Sequence, residues 1–501
     1  MRDAGTANSR ILDARYCDRA GRSAHDIGGP VARPNVVLMN CDDLGYGDLG
    51  CYGSSLNETP ALDRLAAQGM RFTDFYMASP VCSPSRAALL TGCYPPRLGF
   101  GDFDGLPVLF PGHRLGLAPS EVTMARTLQA AGYATKLVGK WHCGDQPDFL
   151  PTNHGFDSYY GLPYSNDMGV QAVPAGSPPL AEVLAAHGLK LPLDDMPPLP
   201  LLRDTDVIEQ QPDQASLTAR YLEESVRFLR QHRDVPFFLY LAHIYVHVPI
   251  YVQDRFLRHS GNGRYGAAVA CIDWAAAVLD DELRRLGLAS STIVIFTSDN
   301  GSRGRDGGSN GGLRGAKGST WEGGMRVPCI VRWPGHVPPA TTCSTMATAM
   351  DLYPTLAAAC GAAMPADRPV DGRDIADLFA RGDAGAAPHE AFFYYRGNDL
   401  EAVRSGRWKL HVAKAGAEAL ELFDLMEDPG ETTDVHAAHP AVVTALAGHA
   451  ERARTDLGDA RLGRTGAGVR PVGAVTDPRP LTTFDPDHPY YLAEYDLPDR
   501  G

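Results

Sequence analysis

The chain has 501 residues, 44% of them hydrophobic, a formal net charge of −14 and a mean hydropathy of −0.20. That length buries a large core, while the acidic balance argues against nucleic acid or an anionic membrane as a general partner, since both reward a basic surface. No apolar run is long enough to span a membrane, and ten cysteines without Cys-x-x-Cys pairing indicate neither a zinc site nor a disulfide scaffold.

In chain order, residues 1–33 form a charged tail without the apolar stretch of a secretory signal. As written, the protein reads as cytoplasmic; a misassigned N-terminus would make it periplasmic or secreted. Pro34 to Met39 is a short run of strand formers that stops at Asn40-Cys41-Asp42-Asp43. Similar runs recur at Tyr133 to Val138, Pro236 to Ala242 and Thr292 to Thr297, each ending in a polar cluster. Helical patterns cover Thr59 to Gln68, Val122 to Ala131, Ser216 to Arg230 and Tyr265 to Leu286. This alternation predicts an α/β fold with a large, mostly parallel sheet flanked by helices. Residues 162–215, rich in proline, read as a long loop region. Past residue 385, Phe392 to Tyr395, Leu400 to Val403, Trp408 to Val412 and Leu420 to Asp424 predict a small antiparallel sheet, with one helix near Pro440 to Thr455. The Pro- and Asp-rich end is a tail or a strap across the surface. The expected organisation is a tail over 1–33, a main domain over 34–385 and a smaller C-terminal α+β subdomain with an extended tail over 386–501.

In open α/β sheets, ligands bind at the carboxyl ends of strands, and all four polar clusters fall there. Asp42-Asp43 and Asp299-Asn300 bring three carboxylates and an amide oxygen from two strand ends, a hard donor set that suits calcium or magnesium. Taken singly, the same residues read as a helix cap and a turn. Lys140 and His142 follow a strand with the spacing that puts both on one side. Cys82-Ser83-Pro84-Ser85-Arg86, followed by a helix-forming run, sets a modifiable side chain and a permanent cation at the start of a helix, where an anion is stabilised. Only three residues separate Cys82 from Arg86, too few for a Cys-x5-Arg phosphatase loop.

The full string Cys82 to Gly92 resembles the signature of type I sulfatases, in which the cysteine is oxidised to formylglycine (3-oxoalanine). Four further motifs resemble the same family in its order: Asp42-Asp43, Gly139-Lys140-Trp141-His142, His247-Val248-Pro249 and Gly315-Ala316-Lys317-Gly318 running on to Glu322-Gly323-Gly324-Met325-Arg326-Val327-Pro328. The likeness covers about residues 34–430 and is nearest to the arylsulfatase A and N-acetylgalactosamine-6-sulfatase branch. It departs from the family pattern at Cys41, at Val246 before the histidine, and in lacking an export signal.

The resemblance implies an alkaline-phosphatase-like fold and hydrolysis of a sulfate monoester. It implies a metal, usually calcium, at Asp42, Asp43, modified Cys82, Asp299 and Asn300. Cys82, Arg86, His142 and His247 are the implied catalytic residues, with Lys140, Ser165, His247 and Lys317 on the substrate. His247 would protonate the leaving alcohol, a role for which His243 competes. Asp299 would help activate the nucleophile, while Glu322 and Arg326 would hold the glycine-rich loop as a pair. The substrate is then a sulfate ester of a small molecule or a sulfated sugar, and the maturation partner is a formylglycine-generating enzyme. The alcohol would be selected by loops around 100–115 and 162–215. Two other readings stand beside this one: a phosphomonoester or phosphonate-ester hydrolase on the same fold, and a non-catalytic binding protein in which Cys82 stays a thiol.

Overall fold

The computed structural model describes residues 33–172, 176–178, 180–186, 188–193, 196–488 and 491–501, and Arg33–Gly501 forms one compact unit. The predicted tail over 1–33 lies, except for Arg33, outside the described residues.

Five strands, Thr292–Ser298, Asn35–Cys41, Phe237–Ala242, Ala134–Gly139 and Ser158–Gly161, lie side by side in parallel at the centre of a ten-stranded sheet. Asn35–Cys41 is buried along its whole length, which is why it reads as an unbroken apolar run rather than an alternation. Val36 and Leu38 project into the core on one face of the sheet, and Val37 and Met39 into the core on the other. Helices Leu217–Gln231 and Gly263–Arg285 cover the face of Val37, while helices Cys82–Thr91, Met124–Ala130 and Leu352–Ala359 cover the opposite face.

The sheet is mixed at its margins. Cys329–Arg332 and Met70–Phe72 are added antiparallel on one side, and Thr341–Cys343 then pairs parallel to Met70–Phe72. On the other side the hairpin Pro200–Arg203 and Asp206–Gln210 extends the sheet. That hairpin and the short helix Leu180–Ala185 correct the expectation of a long loop over 162–215. Its first strand opens on a proline, tolerated near a sheet edge, and its second alternates exposed and half-buried side chains with little apolar signal.

The small antiparallel sheet is present as four strands, Phe392–Arg396, Asp399–Ser405, Trp408–Lys414 and Ala417–Asp424, packed against helix Pro440–Asp456 through Leu446, Ala450 and Ala453. All nine described cysteines are free.

Candidate active site

The polar clusters sit where the strands end. Asp42 and Asp43 follow Asn35–Cys41, and Asp299 and Asn300 follow or close the neighbouring Thr292–Ser298, whose parallel register sets Cys41 opposite Ser298. Chain reversal is immediate at Asp43 and at His142, which adopt positive φ of 61° and 59°. Cys82 is the first residue of helix Cys82–Thr91 and Arg86 lies one turn in, both fully buried.

Asp42, Asp43 and Cys82 each offer a ligand atom, and these atoms lie within 4.8 Å of one another. The Cys82 Sγ is 3.4 Å from Asp42 Oδ1. Asn300 donates to Asp43 at 2.7 Å, while its own amide oxygen is buried without a hydrogen-bond partner. Three buried carboxylates and an orphaned amide oxygen, all oxygen donors, fit a hard divalent cation.

Three cations, Arg86, Lys140 and Lys317, pair with this acid cluster. Arg86 pairs with Asp299 at 2.7 Å and approaches Asp42 at 3.6 Å. Lys140 Nζ lies 2.5 Å from Asp42 and donates to Ser165 Oγ at 3.2 Å, and Lys317 Nζ lies 3.0 Å from Asp43. Despite burial, Lys140, His247 and Arg86 hold the Asp42 carboxyl well below its ordinary range, so it is ionised and able to coordinate. Burial pushes Asp299 up to about 7 against the pull of Arg86. Burial and the Asp42 carboxylate push the Cys82 thiol far above its usual value, which disfavours a thiolate nucleophile.

Beside the cluster opens a cleft of about 580 Å³, lined by Cys82, His142, Ser165, His247 and Lys317 among others. Its apolar wall comes from Leu106, Pro107, Val108 and Phe110 in one loop and from Met168 and Met196 in another, the two regions expected to face the alcohol. His142 Nε2 donates to the Leu109 carbonyl at 2.9 Å, leaving Nδ1 without a partner. Burial and Lys140 hold this imidazole well below its usual value, hence neutral. His247 Nδ1 donates to the Val248 carbonyl at 2.6 Å, so Nε2 is the nitrogen available for proton transfer. Ser165 Oγ is 3.3 Å from that Nε2. His243 is buried, makes no hydrogen bond through its ring and does not line the cleft; burial brings it down to about 4.

The structure thus brings together Asp42, Asp43, Cys82, Arg86, Lys140, His142, Ser165, His247, Asp299, Asn300 and Lys317. Arg86 and Lys140 face the acids rather than the cleft lining. The expected Glu322–Arg326 pair is present: the Arg326 N–H donates to the Glu322 carbonyl at 2.8 Å and the side chains approach to 3.7 Å. Arg326 also binds Asp74 and the Thr73 carbonyl, and Glu322 has a tighter cationic partner in Lys409 at 3.1 Å. Close backbone approach explains the glycines here: a Cβ at Gly301 would meet the Gly323 carbonyl oxygen at 1.8 Å.

Sequence reasoning did not single out Asp167, two residues past Ser165, or Arg500 and Gly501. Asp167 is buried in the cleft wall, where His247, Gly501, Arg500 and Lys317 together outweigh burial and keep its carboxyl below the usual range.

Residues 34–362 match the family model described as Sulfatase, and residues 316–454 match that of N-sulphoglucosamine sulphohydrolase, C-terminal. The chain is 39% identical to steryl-sulfatase of Mus musculus over 85% of this chain and 83% of that protein, and 40% identical to arylsulfatase A of Homo sapiens over 84% and 87%. The crystal structure of the PsFucS1 sulfatase from Pseudoalteromonas sp. superposes with a TM-score of 0.74 at 27% identity, covering 88% of this chain and 92% of that one. With both its fold and its aligned length shared this widely, the chain belongs to the sulfatase family and is a sulfuric ester hydrolase.

Proposed function

We propose that the protein hydrolyses a sulfate monoester of an alcohol with an apolar face, using a formylglycine made from Cys82 and a calcium ion held by Asp42, Asp43, Asp299 and Asn300. The observation that carries this reading is the position of Cys82, at the first turn of its helix, within the acid cluster and on the lining of the cleft.

A hydrated formylglycine at position 82 would supply two hydroxyls, one as nucleophile toward sulfur and one for the release of sulfate. A calcium ion held by Asp42, Asp43, Asp299 and Asn300 would supply positive charge for the sulfate oxygens. The remaining tasks fall to ordinary side chains. Lys317, on the cleft lining, reaches the sulfate and the ester oxygen, and Lys140 orients Ser165 and holds Asp42 ionised. Each preorganised cation or donor of this kind is worth about 3 kcal/mol, on the order of a hundredfold in rate. His142, neutral with a free Nδ1, accepts a hydrogen bond from the group at position 82. His247, anchored through Nδ1, delivers a proton from Nε2 to the departing alcohol.

The test is the mass of the peptide containing Cys82 in protein made with and without a formylglycine-generating enzyme, alongside hydrolysis of 4-nitrophenyl sulfate. A mass about 18 Da below the thiol form, with activity that follows the modified fraction, is the expected result. Undiminished hydrolysis by an unmodified thiol would remove Cys82 from the chemistry, and a modified enzyme that prefers 4-nitrophenyl phosphate would favour the phosphoester reading.

A further inference from the structure

The segment ending at Gly501 is built into the cleft rather than trailing from the surface. Tyr495 is fully buried; its hydroxyl donates to the Pro212 carbonyl at 3.0 Å, and its own carbonyl accepts from the Ala172 N–H at 2.9 Å. Its ring lies 5.8 Å from that of Tyr251, whose hydroxyl accepts from the Leu497 N–H at 3.0 Å. Beyond this anchor, Arg500 donates to the Asp167 carbonyl and the Gly501 N–H donates to Asp167 Oδ2 at 2.8 Å. Arg500 and Gly501 both line the cleft that holds Cys82, Lys317 and His247.

The decisive contact is with His247. A Cβ built on Gly501 would fall 2.2 Å from Nε2 and 2.0 Å from Cε1, so the backbone of residue 501 already rests against the edge of the ring that carries Nε2. The other ring nitrogen is taken by the Val248 carbonyl. An alcohol oxygen receiving the proton must come within about 2.6–3.2 Å of Nε2. The strap therefore narrows the space from which a leaving group reaches Nε2, and a bulky one competes with it for that space.

We propose that residues 497–501 are a movable wall on the alcohol side of the cleft and a specificity determinant for the alcohol: they admit small leaving groups beside them and must be displaced by large ones. The proposal rests on His247 being the proton donor. Loss of the strap's contacts to Tyr251 and Asp167 is the cost that a bulky alcohol must offset, whereas the anchor at Tyr495 stays in place.

Two measurements test this. A chain ending at Asp496, which keeps Tyr495, is compared with the full chain in kcat/KM for 4-nitrophenyl sulfate and for a sulfated disaccharide. The truncation is expected to raise the disaccharide-to-nitrophenyl ratio tenfold or more, chiefly through KM, and the full-length Tyr251→Phe variant to shift it the same way by a smaller factor. An unchanged ratio in the truncated chain overturns the proposal. Independently, hydrogen exchange at the Leu497 and Gly501 amides is followed in protein with unmodified Cys82 as the sulfated disaccharide is added. Faster exchange is expected, and exchange that stays the same or slows overturns the proposal. If modified enzyme of either length fails to hydrolyse 4-nitrophenyl sulfate, the formylglycine mechanism is what falls, and the exchange measurement still decides the strap.

Discussion

His247, the proposed proton donor, is held in a setting that makes it a weak base. Burial and the Lys317 ammonium lower its pKa, while Asp43, Asp42 and Asp167 pull the other way without winning. The acid form is the active one for leaving-group protonation, so it is lost as pH rises through a value below the usual imidazole pKa of about 6.5. The pH profile of kcat/KM is therefore expected to fall on an alkaline limb that begins below pH ~6.5. His247→Ala should abolish that limb and reduce kcat by about a hundredfold or more for an alkyl sulfate. For 4-nitrophenyl sulfate, whose phenolate leaves without help, the loss should be much smaller. A His247→Ala enzyme that keeps the limb, or loses equally on both esters, would show that another group protonates the alcohol.

At this scale the sequence spoke clearly where residue type limits the chemistry. Paired acids at strand ends, a cysteine ahead of an arginine at a helix start, and lysines beside glycines allow few uses. Asp167 was silent because nothing in a lone aspartate predicts that it will face a histidine 80 positions on in the chain. The choice between His243 and His247 likewise needed backbone geometry, since four residues of separation after a strand leave either one free to turn inward.

Among the elements, the glycine-rich segment 315–326 is the one that depends most on distant support. It carries Lys317 into the cleft, yet its glycines give it little stiffness of its own. Support comes from the small antiparallel sheet. Lys409, on strand Trp408–Lys414, lies 3.1 Å from Glu322 and 2.8 Å from Glu431, donates to the Thr320 carbonyl at 2.8 Å, and sits over the Tyr394 ring. Despite burial, Lys409, Arg404 and Arg326 bring Glu322 down to about 2, and Glu431 accepts the Glu322 N–H at 2.8 Å. All three charged side chains are inaccessible to solvent.

Removing the central cation leaves two buried carboxylates facing each other. Lys409→Met is expected to destabilise the protein by about 3–5 kcal/mol in urea denaturation, and to raise KM for 4-nitrophenyl sulfate as Lys317 loses its fixed position. A loss under about 1 kcal/mol, the value of an exposed pair, would show that the network does not hold the loop. This dependence could not be read from the chain. The motif around Glu322 points to the local partner four residues away, Arg326, which is present at 3.7 Å, but not to the tighter one, Lys409, 87 residues on in the small antiparallel sheet.

For the molecule as a whole, the parallel sheet was legible because fully buried central strands leave continuous apolar runs, and such runs end where their ligands begin. Its edge hairpin was not, because its first strand is only four residues long and opens on a proline, and its second has no buried side chain. The same architecture makes the cation site a structural joint. Asp42 and Asp43 extend one central strand, Asp299 and Asn300 extend its parallel neighbour, and Cys82 comes from a helix on one face of the sheet. A divalent ion held there would tie three elements together and offset the mutual repulsion of carboxylates that burial has removed from water. Ligand binding to the native state alone stabilises it by about 2.7 kcal/mol when free ligand exceeds its Kd a hundredfold. Exhaustive chelation is therefore expected to lower Tm by a few degrees along with activity, and added calcium to restore both together. Removing calcium from a protein whose Cys82 is still a thiol separates the two effects, since under the proposed mechanism that protein has no turnover to lose. If its Tm is indifferent to chelator and to calcium, the acid cluster is held together by Arg86, Lys140 and Lys317 alone, and the ion serves only the chemistry.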